Sequence, residues 1–211
     1  MSKKMSFNNG QSVLDEEIIS KLHETAQSLA RSLERNKIQT LLFSSINDGE
    51  GVASAVLHIA YIISRMKQKV LLINLDPLSL KYFKDYLDVK EEPRLLSTLQ
   101  SSGYLSEAID GTGFDLIDYI GIEDVEEAKA ASILNGSGVG ERLLPLSNYF
   151  DCIFIVGPEY AFSDKYGHIF GLAEGAVTIS KDKTSDYRKL RGYLNELKYY
   201  NVHSLGLIRR N

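Results

Sequence analysis

Thr40-Leu-Leu-Phe-Ser-Ser-Ile-Asn-Asp-Gly-Glu-Gly-Val-Ala-Ser54, followed by Lys69-Val-Leu-Leu-Ile-Asn-Leu-Asp-Pro77, is the stretch that decides the fold. Residues 40–45 read as an apolar strand that runs into a turn-rich loop over 46–51. From about Val52 to Met66 the chain is rich in Ala, Val, Ile and Leu on every side, the pattern of a buried helix. Val70 to Leu75 is a second continuous apolar strand, closed by the turn-forming pair Asp76-Pro77. Strand, loop, helix and strand make a βαβ unit, for which a right-handed crossover is expected.

Outward from this unit the same alternation continues. On the N-terminal side, Leu14, Ile18, Leu22, Ala26, Leu29 and Leu33 recur at helical spacing, with Asp15, Glu16 and Glu17 favouring the start of a helix over 14–35. Residues 1–13 read as a loose polar arm. On the C-terminal side, strands are expected at Phe114–Ile120, Asp151–Gly157, Gly175–Ser180 and Ser204–Ile208. Helical patterns fall at 79–87, 94–109, 123–134, 140–149, 161–171 and 184–200. Continuous apolar strands alternating with helices imply an α/β domain with a mostly parallel sheet and helices on both faces. Nothing splits the chain, so residues 14–211 are expected to form one domain.

Composition excludes several classes. A net charge of -4 gives no support to a nucleic-acid-binding surface. The one cysteine, Cys152, lies in an expected buried strand, so there is no disulfide framework and a reducing compartment fits. No apolar run approaches the roughly 20 residues that span a bilayer, and Met1 to Gln11 lacks an apolar signal core. The expectation is a cytoplasmic protein without membrane insertion, peripheral at most through a partner.

The loop between the first strand and its helix is where phosphate chemistry belongs. A glycine-rich turn there aims backbone N–H groups at an anion, a lysine bridges the outer phosphates, and the next Ser or Thr binds magnesium. Gly49 and Gly51 are present, but Val52 stands at the lysine position and Ala53 at the hydroxyl position. The two glycines read either as a phosphate cradle or as a strand-to-helix turn needing glycine geometry, and Val52 beside them favours the turn. Asp76 reads better as a turn former than as a lone catalytic acid; Asn74 serves equally as a ligand contact or as a locally satisfied buried amide. Gly136-Ser-Gly-Val-Gly140 follows a helix pattern rather than a strand, so it reads as a loop with a helix start and not as a dinucleotide turn. Glu123, Asp124, Glu126 and Glu127 read as acids at a helix start. His23, His58, His168 and His203 show no metal-ligand spacing, and Tyr193, Tyr199 and Tyr200 read as packing or surface residues. Arg209 and Arg210 are too few for a basic tail.

At these residues the chain resembles the bacterial tyrosine kinases of capsular and exopolysaccharide biosynthesis, within the MinD/ParA group of P-loop ATPases. That family reads Thr-Ser-x-x-Pro-Gly-Glu-Gly-Lys-Ser-Thr, then Lys-Val-Leu-Leu-Ile-Asp-x-Asp-x-Arg, then Tyr-Asp-x-Val-Ile-Ile-Asp-Thr-Pro. The corresponding stretches here are Ser44-Ser-Ile-Asn-Asp-Gly-Glu-Gly-Val-Ala-Ser54, Lys69 to Leu78, and Tyr149-Phe-Asp-Cys-Ile-Phe-Ile-Val-Gly-Pro158. The likeness covers about residues 14 to 208 and implies a three-layer P-loop NTPase-like fold. Against the motif, Ser45, Asp48, Gly49, Glu50, Gly51 and Ser54 remain in a degenerate nucleotide loop, while Val52 and Ala53 replace its lysine and hydroxyl. Asn74 and Val156 replace aspartates of the second and third motifs, Leu78 replaces an arginine, and Asp76 keeps its type. The family's Glu-x-x-Arg-x-x-Arg ring-assembly motif is not reproduced, since Glu17 is followed by Ser20 and His23.

Phosphoryl transfer rests on positioning and on charge stabilisation by lysine and Mg²⁺. These losses together imply no catalytic residue, no metal site and no required cofactor, with weak ATP, ADP or phosphate binding through backbone N–H groups at most. The resemblance implies a pseudokinase scaffold whose partner is a membrane polysaccharide co-polymerase (a chain-length regulator) or an active kinase relative, with self-association left open. An atypical ATPase or tyrosine kinase of the same pathway is the enzyme alternative. A MinD/ParA-like positioning protein would need a basic terminal helix or a DNA-binding surface, and the sequence displays neither.

Overall fold

The computed structural model describes residues 16–47, 51–101, 103–160, 167, 169–181 and 187–210. Seven strands form one sheet in the order β3-β4-β2-β5-β1-β6-β7. They are β1 (Thr40–Ser45), β2 (Val70–Asn74), β3 (Asp110–Gly111), β4 (Ile117–Gly121), β5 (Cys152–Val156), β6 (Gly175–Lys181) and β7 (His203–Arg210). Every pairing is parallel except that of β3 with β4. The helices are α1 (Glu16–Asn36), α2 (Val52–Arg65), α3 (Leu80–Leu87), α4 (Leu95–Gln100), α5 (Glu127–Gly136), α6 (Val139–Leu143) and α7 (Tyr187–Tyr199).

The two faces of the sheet each carry a core. Alternate residues of β1, Leu41 and Phe43, join Ala26 and Leu33 of α1, Val56 and Ile59 of α2, and Phe83 of α3. The residue between them, Leu42, points the other way and joins Leu96 of α4, Ala130 of α5, Val139 of α6 and Tyr193 of α7. Period-2 alternation of side chains explains how a fully apolar strand serves both layers at once. The β1-α2-β2 unit read from sequence is present, yet its strands are not neighbours: β5 lies between them, paired with β1 at Phe43↔Val156 and with β2 at Asn74↔Val156.

Three expected elements differ. The pattern over 94–109 is α4 followed by a 3-10 turn at Leu105–Ala108, and 140–149 splits into α6 and a 3-10 turn at Leu144–Asn148 whose second residue is Pro145. A proline at that position lacks the N–H that would continue the α-helical ladder. The helix expected over 123–134 begins only at Glu127, because Glu123 is used elsewhere. The expected helix over 161–171 and the start of the one over 184–200 fall largely outside the described residues, as do the polar arm and the beginning of helix 14–35. Gly138, with φ 61, caps the start of α6, as the Gly136–Gly140 reading anticipates.

Candidate functional site

Parallel α/β sheets present their ligand sites at the C-terminal ends of the strands, and here that end is built from β1, β2 and β5 beneath the first turn of α2. Ser45 closes β1 and is buried. Asp48, Gly49 and Glu50 lie outside the described residues. Gly51 re-enters at φ 74, ψ 39, left-handed backbone that glycine tolerates without steric cost, and serves as the N-cap of α2.

The next two residues are apolar and packed. Val52 is 9% exposed and Ala53 7% exposed, and both belong to the apolar cluster that contains Phe43, Phe154 and Val156. Where the P-loop motif places an ammonium and a hydroxyl, side chains are packed into the core. Ser54 is half-buried, and its carbonyl oxygen lies 2.6 Å from His58 Nδ1.

The second motif is equally occupied. Asp76 Oδ1 accepts the Leu78 N–H at 3.1 Å and Oδ2 accepts the Ser79 hydroxyl, so the carboxylate caps the 3-10 turn at Pro77–Ser79. Asn74 is fully buried, its Oδ1 accepting the Asp76 N–H at 3.1 Å while Nδ2 has no hydrogen-bond partner. The neighbouring Tyr119 hydroxyl is also buried and does not reach hydrogen-bond geometry. Burial drives its pKa up, and the adjacent Asn74 amide offsets this in part. Gly121, opposite Asn74 on β4, is what admits the phenol: a Cβ there would come within 2.8 Å of the Tyr119 hydroxyl oxygen. Val156 ends β5 fully buried, and its carbonyl accepts the Leu75 N–H at 2.8 Å. Among the described residues no group of three or more His, Cys, Asp or Glu is placed to hold a metal ion.

The sequence-selected residues Val52, Ala53, Asn74, Asp76 and Val156 therefore do converge. Motif reading assigned no site role to three further side chains: Tyr119 and Lys189 near the strand ends, and Tyr193 on the opposite face of the sheet. Tyr119 fills the space next to Asn74. Lys189, from the first turn of α7, donates through Nζ to Asn47 Oδ1 at 3.1 Å, bringing a cation to the rim of the loop. Tyr193 is fully buried under β1, sharing a hydrogen bond with the Ser44 hydroxyl and meeting the rings of Tyr160 and Phe170 edge-on at 5.4 and 5.8 Å. Burial pushes the Tyr193 phenol up to about 12 against the opposing pull of hydrogen bonds from Ser44 and Thr178. No local signal marks these residues, because each lies far along the chain from the residue it meets, Tyr119 on β4 and Lys189 and Tyr193 on α7.

The fold is that of three-layer P-loop NTPase-like proteins. No protein-family model and no curated protein matches it. Solved structures do. The kinase domain of the Escherichia coli tyrosine kinase ETK superposes with a TM-score of 0.77 at 15% identity, covering 99% of this chain and 84% of that one. The VpsO kinase domain gives 0.76 at 16% identity, covering 95% and 100%. Apo McdA from Cyanothece gives 0.66 at 22% identity, covering 81% and 71%. The chain has the fold of bacterial tyrosine kinase domains and of the MinD/ParA-like ATPases.

Proposed function

We propose that this chain is a catalytically degenerate P-loop protein, a scaffold or regulatory partner in bacterial exopolysaccharide or capsule biosynthesis and export. One observation carries the reading: Val52 and Ala53 sit in an apolar cluster at the positions where a lysine and a hydroxyl would meet a triphosphate. The described part of the donor set supports this reading, since Asp76 is engaged in a turn and Val156 offers no carboxylate to a nucleotide–magnesium complex. Losing one buried charged partner typically costs about 2–5 kcal/mol, roughly 30- to several-thousand-fold. Here several are missing as a unit, so the costs do not simply add. The partner under this reading is a membrane polysaccharide co-polymerase or an active kinase relative, and the role is to dock rather than to turn over.

Calorimetric titration of the protein with ATP and magnesium tests it. The expected result is no binding tighter than tens of micromolar and no phosphate release above a blank. Tight magnesium-dependent binding would favour the second reading, an atypical ATPase or kinase of the same pathway, in which Lys189 at the loop rim replaces the missing lysine.

A further inference from the structure

The charges of this chain are sorted across the sheet. Residues 80–127, which include α3, β3 and β4 at one edge, hold twelve acids against four lysines and arginines. Residues 187–210, forming α7 and β7 at the other edge, hold six lysines and arginines against a single acid, Glu196. With strands about 4.8 Å apart, the two edges are separated by well over the roughly 8 Å Debye length of physiological salt. The acidic edge therefore does not cancel the field at the basic one.

Helix α7 presents that basic edge as a two-sided element. Tyr193 and Leu197 are buried against the sheet, with Leu190 half-buried beside them. On the opposite side Arg188, Arg191, Leu194 and Lys198 follow one another at helical spacing, all exposed. Tyr187 is 75% exposed, Tyr199 82% and Leu194 40%. Arginine and lysine interleaved with exposed tyrosine and leucine match a headgroup layer, where phosphates take the cations and the amphipathic rings sit at the boundary.

We infer that the outer face of α7, with the adjoining β7 edge, docks on an anionic lipid surface. Magnitudes choose this occupant over a second copy offering its acidic edge. Each Lys or Arg close to an anionic leaflet strengthens binding roughly fivefold, whereas exposed ion pairs between proteins contribute roughly 1.4- to fivefold each and order long side chains to do so. The docking is peripheral: no helix among the described residues is long and apolar enough to cross a membrane. It is also independent of whether the P-loop turn binds nucleotide.

Co-sedimentation of the full chain with vesicles tests the inference, comparing phosphatidylcholine alone with phosphatidylcholine containing phosphatidylglycerol. The chain is expected to bind only the anionic vesicles and to be released by high salt. Arg191→Gln/Lys198→Gln should weaken binding about 25-fold with an unchanged unfolding midpoint, while Arg191→Lys retains it and Asp85→Lys/Asp115→Lys at the far edge does not reduce it. Equal binding to neutral vesicles, insensitivity to salt or to the double substitution, or no vesicle binding overturns the inference. So does a result in which the same double substitution abolishes self-association or duplex DNA binding while vesicles go unbound.

Discussion

Val52 concentrates the functional question in one side chain. Its isopropyl group is packed under α2 with Val156 and Phe43 in one cluster, so it belongs to the core as much as to the loop. Substituting lysine adds volume to a filled site, which typically costs 1–3 kcal/mol, and asks an ammonium to leave water or to snorkel past Gly51. Val52→Lys is expected to lower the unfolding midpoint by several degrees and to confer no ATP hydrolysis. Thermal unfolding and a phosphate-release assay check both parts, and a stable, hydrolysing variant would contradict the assignment of this position to the core. Asn74 is a polar counterpart: its amide donor is buried beside the Tyr119 phenol, close enough to act on it but outside hydrogen-bond geometry.

At the scale of elements, short helices are held by side chains from elsewhere. Glu123, in the loop after β4, accepts the N–H groups of Leu96 and Ser97 at 2.6 and 2.7 Å and so caps α4, a helix whose own N-cap residue Arg94 supplies no side-chain bond. Its carboxylate also lies at the positive end of α4. Glu123→Ala should cost about 1 kcal/mol, with faster hydrogen exchange at the Leu96 and Ser97 amides and little change in β1 or β5. Arg94 ties the same region together by bonding Glu91, the Glu107 carbonyl at 2.8 Å and Asp110 at 3.0 Å. Burial raises the Asp110 carboxyl, with Arg94 pulling the other way. Arg142 plays the equivalent part for α4, reaching the carbonyls of Thr98, Leu99 and Gly103.

The whole molecule registers its buried acids in its response to alkali. Burial pushes the Cys152 thiol up to about 12 from 9.0, with Asp151 adding to the shift, and the Tyr193 phenol up to about 12 from 10.0. Both groups keep their protons in the folded chain at pH values where the unfolded chain has lost them. Unfolding therefore releases protons, and stability falls as pH rises through the unfolded values, from about 9 upward, by up to about 1.4 kcal/mol per pH unit for each group. Denaturant unfolding measured between pH 8 and pH 11 should show this decline beginning near 9, and Cys152→Ala should delay its onset to the tyrosine range. A flat profile in the wild type, or the same onset in the variant, would contradict the burial-driven shift.

How much of this was legible without coordinates follows from what each signal constrains. Periodicity and apolar runs report which faces are buried, so the α/β class, the two-faced sheet and the bounds of β1, α2 and β2 could be read locally, and the replacements at 52, 53, 74 and 156 stood out against a spaced motif. Periodicity does not say which strand lies beside which. The insertion of β5 between β1 and β2 and the antiparallel pairing of the two-residue β3 came only from the tertiary structure. Long-range polar partners were equally invisible: Lys189 meets Asn47 across 142 residues of chain, Tyr119 flanks Asn74 from another strand, and Glu123 caps a helix that precedes it. The basic face of α7 emerged for the same reason, since arginines weighed as a short tail in sequence become one surface only when a helix and an edge strand fold side by side. Local chemistry is written in spacing; the neighbours that complete it are chosen by packing.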